Sequence, residues 1–213
     1  MSIEIQQYTL GLAATNSYLV GDTESHLAVL IDPVDEAQTL YSAAQVAGWT
    51  IQLILATHAH FDHILASKDL KDLTGAPFWC HADCEPWLKS LPNQARMFGF
   101  SSLPEAAIPD RLLTNETETF SVGAIQLQTL YTPGHAPGHL CFFMPEERIL
   151  FSGDTIFQGS IGRTDLPGAD HEVLMHSIRE VIFPLGDDVD LLPGHMGRTT
   201  IGAERISNPF LQF

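Results

Sequence analysis

Apolar and polar residues alternate over residues 3–9, and apolar-rich runs follow at 16–20 and 27–31, each set off by turn residues. These runs, separated by turn residues, predict three strands. Asp32-Pro33 stops the third. Residues 37–47 change to helical spacing and end at Gly48, a natural C-terminal stop. The run 51–56, Ile-Gln-Leu-Ile-Leu-Ala, has the apolar continuity of a buried strand. Residues 62–73 follow as a helix closed by Gly75 and Pro77. The first third is therefore β-β-β-α-β-α.

The rest repeats the theme less regularly. A strand at 78–80 and a short helix at 83–91 precede an irregular surface excursion over 92–109. Strands are expected at 118–122, 125–131, 140–144, 149–152 and 189–192, with helices at 172–182 and 201–207. Interleaved elements in two comparable halves suggest two sheets sandwiched between helices. No linker or low-complexity stretch divides the chain, so residues 1–213 are expected to form one domain.

Charge narrows the partners. The formal net charge of −16 repels nucleic acid and anionic membrane surfaces, which leaves a small molecule as the expected partner. The N-terminus lacks a basic segment followed by an apolar run, and no stretch is long and apolar enough to span a bilayer, so a cytoplasmic protein is expected. Cys80, Cys84 and Cys141 do not make a disulfide framework.

The chemistry concentrates in Thr57-His58-Ala59-His60-Phe61-Asp62-His63, directly after the buried strand. His58 and His60, two apart on extended backbone, project to one side. Asp62 and His63 come from the turn into the helix and point elsewhere, so one loop can serve two metals. His135, Asp154 and His195 each follow a predicted strand in a Gly-containing turn. A lone histidine at a strand end is more often hydrogen-bonded than metal-bound. Four donors in six residues are different, because without a cation they would crowd polar groups that lack partners. Imidazole and carboxylate suit zinc first, with iron or manganese also compatible.

These residues resemble the metallo-β-lactamase superfamily over almost the whole chain. The resemblance implies a four-layer αββα sandwich in the α/β (α+β) class, with the site at one edge of the sheets. It implies that His58, His60 and His135 hold a first metal, that Asp62, His63 and His195 hold a second, and that Asp154 bridges them. Gly159-Ser160-Ile161-Gly162-Arg163-Thr164-Asp165, Thr200-Ile201-Gly202, Asn208-Pro209-Phe210-Leu211, Leu91-Pro92 and Arg96-Met97-Phe98-Gly99 narrow the resemblance to short bacterial glyoxalase-II-like hydrolases. Met196-Gly197-Arg198 departs from the Gly-Pro pair usual after the last histidine.

The implied activity is hydrolysis of an acyl-thioester such as a hydroxyacyl-glutathione. Two cations about 3.5–4 Å apart would acidify a shared water, with Asp154 as bridge and Asp62 orienting the water or moving a proton. Arg163 either contacts an anionic substrate or pins its loop to Asp165. The C-terminal helical extension that holds glutathione in longer relatives is missing, so weak retention of the glutathione tail is expected. Rival readings are a mononuclear iron persulfide dioxygenase using His58, His135 and Asp154, a lactonase, and a non-catalytic binding protein. His139 is expected to support the site by hydrogen bonding, and Trp87 to line a pocket or pack against it. Cys80-His81-Ala82-Asp83-Cys84 lacks a second ligand pair and is expected to be ordinary packing.

Overall fold

The computed structural model describes residues 2–212. Strands β1 (Ile3–Leu10), β2 (Thr15–Asp22), β3 (Leu27–Ile31), β4 (Thr50–Leu55), β5 (Phe78–His81) and β6 (Arg111–Leu113) pair in chain order into one sheet. β1, β2 and β3 are antiparallel. From β3 to β6 the pairs are parallel, as the intervening helices require. Those helices are α1 (Ala37–Ala47), α2 (Phe61–Ile64), α3 (Ser67–Thr74), α4 (Glu85–Lys89) and α5 (Leu91–Met97).

The second sheet contains β7 (Thr119–Val122), β8 (Ile125–Tyr131), β9 (Leu140–Met144) and β10 (Ile149–Gly153). A small hairpin, β11 (Ile156–Phe157) and β12 (Ser160–Ile161), and α6 (His171–His176) precede β13 (Asp190–Pro193), β14 (Thr199–Thr200) and α7 (Ile201–Ser207). The sheet order is β14-β13-β10-β9-β8-β7, with only β10 and β13 parallel.

Residue parity explains the four layers. Leu19, Leu30 and Ile54 face the helical side and pack with Leu40, Ala44 and Leu70. Their neighbours Tyr18, Val20, Val29, Ile31, Leu53 and Leu55 face the other way and meet Leu127, Leu140, Phe142, Met144 and Phe151 of the second sheet. Cys141, Phe143 and Leu150 of that sheet turn outward onto Leu174, Ile178, Ile182 and Ile201. Three apolar interlayers separate helices, sheet, sheet and helices, which is the αββα sandwich.

The boundaries differ from the pattern in places. The helix expected over 62–73 breaks after Ile64, because the Ala66 N–H donates to Pro33 O at 3.0 Å instead of continuing the helical ladder. The excursion after residue 91 begins as α5, where Pro92 occupies the first turn and its missing N–H costs nothing. The helix expected over 172–182 is α6 followed by a π-helical turn at Ser177–Ile182. The short β6, β11, β12 and β14 carry too few residues to show a period.

Gly21 lies where a Cβ would overlap the indole of the buried Trp49. Gly21→Ala should therefore destabilise the fold by about 1–3 kcal/mol, read as a lower urea midpoint. Gly21→Ala combined with Trp49→Leu should recover part of that loss. An unchanged midpoint in the single variant would show that the close approach carries no energy.

Candidate metal centre

All seven side chains proposed from sequence meet at one edge of the two sheets. The segment after β4 stays extended through His60, whose backbone (φ −68°, ψ 145°) then caps α2. His58 and His60 therefore leave extended chain, while Asp62 and His63 leave the first turn of α2. His135 follows β8, Asp154 follows β10 and His195 follows β13.

Three trios of ligand atoms form, each within 4.8 Å: His58, His60 and His135; His58, His63 and Asp154; and Asp62, His63 and His195. In the first trio, His60 Nδ1 lies 3.1 Å from His58 Nε2 and 2.9 Å from His135 Nε2. The neighbours settle the tautomers. His135 Nδ1 faces the Arg163 carbonyl at 2.8 Å, which can only accept, so this nitrogen carries the proton. The Thr57 hydroxyl donates to Asp32 at 2.9 Å and so accepts from His58 Nδ1 at 3.0 Å. Both Nε2 atoms thus aim lone pairs at His60 Nδ1, which can donate at most one proton. His60 Nε2 is buried without a partner.

In the second trio, His63 Nδ1 donates to Asp32 Oδ2 at 2.9 Å. Its Nε2 faces Asp154 Oδ1 at 3.4 Å and Asp62 Oδ2 at 3.7 Å. His63 Nε2 and Asp154 Oδ1 are also buried without hydrogen bonds. Asp154 Oδ2 lies 3.4 Å from His135 Nε2 and 3.5 Å from His195 Nε2, so its carboxylate stands between the two groups. Asp62 Oδ2 accepts from the Thr15 hydroxyl at 2.8 Å and lies 3.3 Å from His195 Nε2. Unpartnered buried donors and acceptors are rare in folded proteins. Here they are concentrated where lone pairs and carboxylates converge, and that arrangement fits cations. A Cβ at Gly194 would overlap Asp154 Oδ1 and His63 Cε1, so only glycine leaves the carboxylate its place.

The first and third trios differ in charge. Burial pushes His58 well below the ordinary imidazole value, with His63 and His60 adding to the effect. Burial and His135 bring His60 down to about 3. His135 is lowered chiefly by burial. Burial also opposes charge on His63, yet Asp154, Asp62 and Asp32 outweigh it and hold this imidazole well above its usual value. His195 is raised as well: the hydrogen bond to Asp62 and the charge of Asp154 overcome burial. Burial resists ionisation of Asp154 and Asp62, but the surrounding histidines win. They hold Asp154 far below the carboxylate range and Asp62 at about 2.

His139 supports the site as expected. Its Nε2 accepts from the Asp154 N–H at 2.9 Å, and its Nδ1 pairs with the Thr132 hydroxyl at 3.0 Å. Trp87 sets its ring edge-on to His60, centroids 5.9 Å apart. Arg163 makes a bidentate, exposed pair with Asp165 at 2.7 and 2.8 Å, the geometry of a pinned loop. The ring nitrogens of His81 serve Asn115 Oδ1 and the Asp83 N–H, and Cys80 and Cys84 are free, buried thiols.

Three supporting residues escaped the sequence pattern. Asp32 was visible only as a strand stop, yet it holds Thr57 and His63. Gln94 reaches back from α5, donating to Ala59 O at 3.0 Å and accepting from the Phe61 N–H at 2.9 Å. Asn16 donates to Pro193 O at 2.9 Å and Met196 O at 3.0 Å, fixing the turn that carries His195. An Asp directly after a strand was the one available signal. Gln94 and Asn16 gave none.

Residues 10–195 match the metallo-beta-lactamase superfamily. The chain is 40% identical over 212 residues to the hydroxyacylglutathione hydrolase GloC of Haemophilus influenzae, covering 99% of this chain and 98% of that one. Among solved structures, BLEG-1, a B3 metallo-beta-lactamase, superposes with a TM-score of 0.92 at 38% identity, covering 99% of this chain and all (100%) of that one. TTHA1623 in a di-iron-bound form superposes with a TM-score of 0.86 at 39% identity, covering 97% and 100%. Among the described residues no helix is long and apolar enough to cross a membrane. The chain belongs to the metallo-β-lactamase superfamily and is a metal-dependent hydrolase of that fold.

Proposed function

We propose that the chain hydrolyses acyl-thioesters, a hydroxyacyl-glutathione among them, to a carboxylic acid and a thiol, using two divalent metal ions. The observation that carries this reading is the convergence of seven donor side chains, with three imidazole nitrogens facing one another at His60 Nδ1 and with His63 Nε2 and Asp154 Oδ1 buried without hydrogen-bond partners. His58, His60 and His135 would hold one ion, Asp62, His63 and His195 the other, and Asp154 would serve both. Zinc suits these donors, and iron is supported by the di-iron form of TTHA1623. Bound there, the ions would acidify water and polarise the scissile carbonyl.

The chain's own residues prepare that chemistry. Arg163 O and Thr57 Oγ hold His135 and His58 with their Nδ1 protonated, leaving both Nε2 atoms as donors of electron pairs. Asp62 stays ionised, held by the Thr15 hydroxyl and facing His195 Nε2, which suits it to serve as a ligand beside His195. Trp87 packs edge-on against His60. The thioester assignment draws support from GloC, which is named for it and matched over 98% of its length. That equal length also weakens the expectation that glutathione needs a longer chain. A second reading, β-lactam hydrolysis, is favoured by the likeness to BLEG-1.

The deciding experiment uses metal-loaded protein. Its substrates are a hydroxyacyl-glutathione, the same acyl group on a small neutral thiol, a lactone, a β-lactam, and glutathione persulfide with oxygen uptake recorded. Thioester cleavage well above the others is expected, with about two metals per chain. Cleavage of the β-lactam alone, or oxygen uptake with one iron, would replace this reading. Asp154→Ala should lose one of the two ions and lower turnover by more than about a hundredfold. Two retained ions with normal turnover would remove Asp154 from the bridge.

Metal uptake should also divide by pH. A metal takes the neutral imidazole. His58, His60 and His135 are lowered and already neutral near pH 7, so their ion should bind with little dependence on pH above about 6. His63 and His195 are raised, so their ion must displace protons, and its affinity should rise with pH. The same raised His63 stabilises the metal-free fold below its unfolded pKa, a contribution lost as pH rises through the folded value. Calorimetric titration in buffers of different ionisation enthalpy should find proton release in one of the two binding phases only. Equal release in both phases would contradict this division.

A further inference from the structure

Beside Asp62 the molecule has a second recess. The turn at residues 11–14 between β1 and β2 folds over the outer face of α2 and leaves a crevice of about 150 Å³. Its walls are Leu10, Leu12 and Ala13 of the turn, Val34, Phe61 and Leu65, with Phe100 and Leu103 closing the far end. Phe61 is held in place by Phe98 and Phe100, ring centroids 4.9 and 5.4 Å away. Its polar lining is Thr15 and Asp62 at the metal end and Asp35 near the turn. Thr15 is already committed to Asp62. Leu12 projects from the turn 90% exposed.

We propose that this crevice binds the acyl portion of the substrate, and that the acyl group is an uncharged aliphatic chain. The proposal rests on the thioesterase reading and adds the substrate class to it. Asp62 is the one residue shared by the candidate metal centre and the crevice wall, so on this proposal an acyl chain whose carbonyl lies at the metal centre would pass Asp62 and Thr15 to enter here. An apolar cavity of about 150 Å³ is large enough for about six carbons. The walls offer apolar contact along its length, and the carboxylates of Asp35 and Asp62 disfavour an anionic acyl group such as a dicarboxylic one. An occupant would also cover part of Leu12.

The test uses the zinc-loaded full chain and two independent readouts. The first is kcat/KM for straight acyl groups from acetyl to octanoyl on one small neutral thiol, with succinyl as the charged comparison. A rise of about three- to fourfold per methylene is expected up to about six carbons, then a plateau, with succinyl far below butyryl. The second is calorimetric affinity for the corresponding free carboxylates, which needs no turnover. Leu103→Trp fills the far end, and Ala13→Trp fills the mouth from an exposed turn where folding tolerates the change. Each should cut the hexanoyl-to-acetyl ratio by about tenfold or more. A flat chain-length series in the wild type, or a slope unchanged in both variants, overturns the proposal. If no thioester is cleaved but carboxylate affinity rises with length and Leu103→Trp flattens it, the crevice stands and the thioesterase reading falls. Flat affinities in that case overturn the crevice as well.

Discussion

The carboxylate of Asp32 is the contact on which the site depends. It lies at the end of β3, buried, with left-handed backbone (φ 56°). Its Oδ1 accepts from the Thr57 N–H at 2.7 Å, and its Oδ2 accepts from the Thr57 hydroxyl at 2.9 Å and from His63 Nδ1 at 2.9 Å. A buried carboxylate costs several kcal/mol unless it is paired. Three donors, one of them His63, offset that cost, and together they join β3, the end of β4 and α2. The strained backbone at Asp32 is compensated by this network. Through Thr57 the same carboxylate sets the tautomer of His58, so both trios take part of their geometry from one residue.

The remaining donors are placed by sheet topology. In parallel strands the C-terminal ends share an edge, and loops from that edge can converge. β3 and β4 bring Asp32 and the His58–His63 loop to one place, and the parallel pair β10 and β13 brings Asp154 and His195 to another. The face-to-face packing of the sheets then sets these edges side by side. Cross-sheet polar contacts lock the alignment: the Tyr18 hydroxyl donates to Pro193 O at 2.7 Å, and Asn16 N–H donates to Gly194 O at 2.7 Å. The buried Glu204 of α7 accepts from the Gly159 N–H at 2.8 Å, anchoring the hairpin whose Phe157 packs edge-on against His195.

The donors were legible in sequence because each ends an apolar strand, and a strand end is where a rigid origin meets a free backbone. The layered fold was legible because both faces of β3 and β9 are apolar. What stayed hidden were the contacts that cross between elements. Gln94 looks like any polar residue on a short helix until the fold brings it under Ala59 and Phe61. Asn16 sits within a strand, and nothing local says that its amide faces a turn near residue 194. Asp32-Pro33 carried a turn signal that explained it sufficiently, and so its second role was masked. The break after Ile64 was equally invisible, since its cause is a carbonyl at Pro33.

One loop supplies His58 and His63, with ring centroids 4.1 Å apart and both rings fully buried, yet their affinities for protons move in opposite directions. Burial alone cannot separate them. The difference is the number of carboxylates each ring faces. A pair of opposite unit charges about 3.5 Å apart is worth on the order of 5 kcal/mol at an effective dielectric near 20. Desolvating one imidazolium costs several kcal/mol. A single carboxylate would roughly cancel that cost, whereas the three around His63 exceed it. His58 touches none and faces other histidines, so burial prevails. A divalent cation in place of the proton on His63 Nε2 would satisfy Asp154 and Asp62 more fully, while Nδ1 keeps its proton on Asp32. At His58, His60 and His135 a cation would meet only neutral electron pairs, and the nearest negative charge would be Asp154. On the two-ion proposal, Asp154 is therefore the one side chain whose charge both ions would draw on.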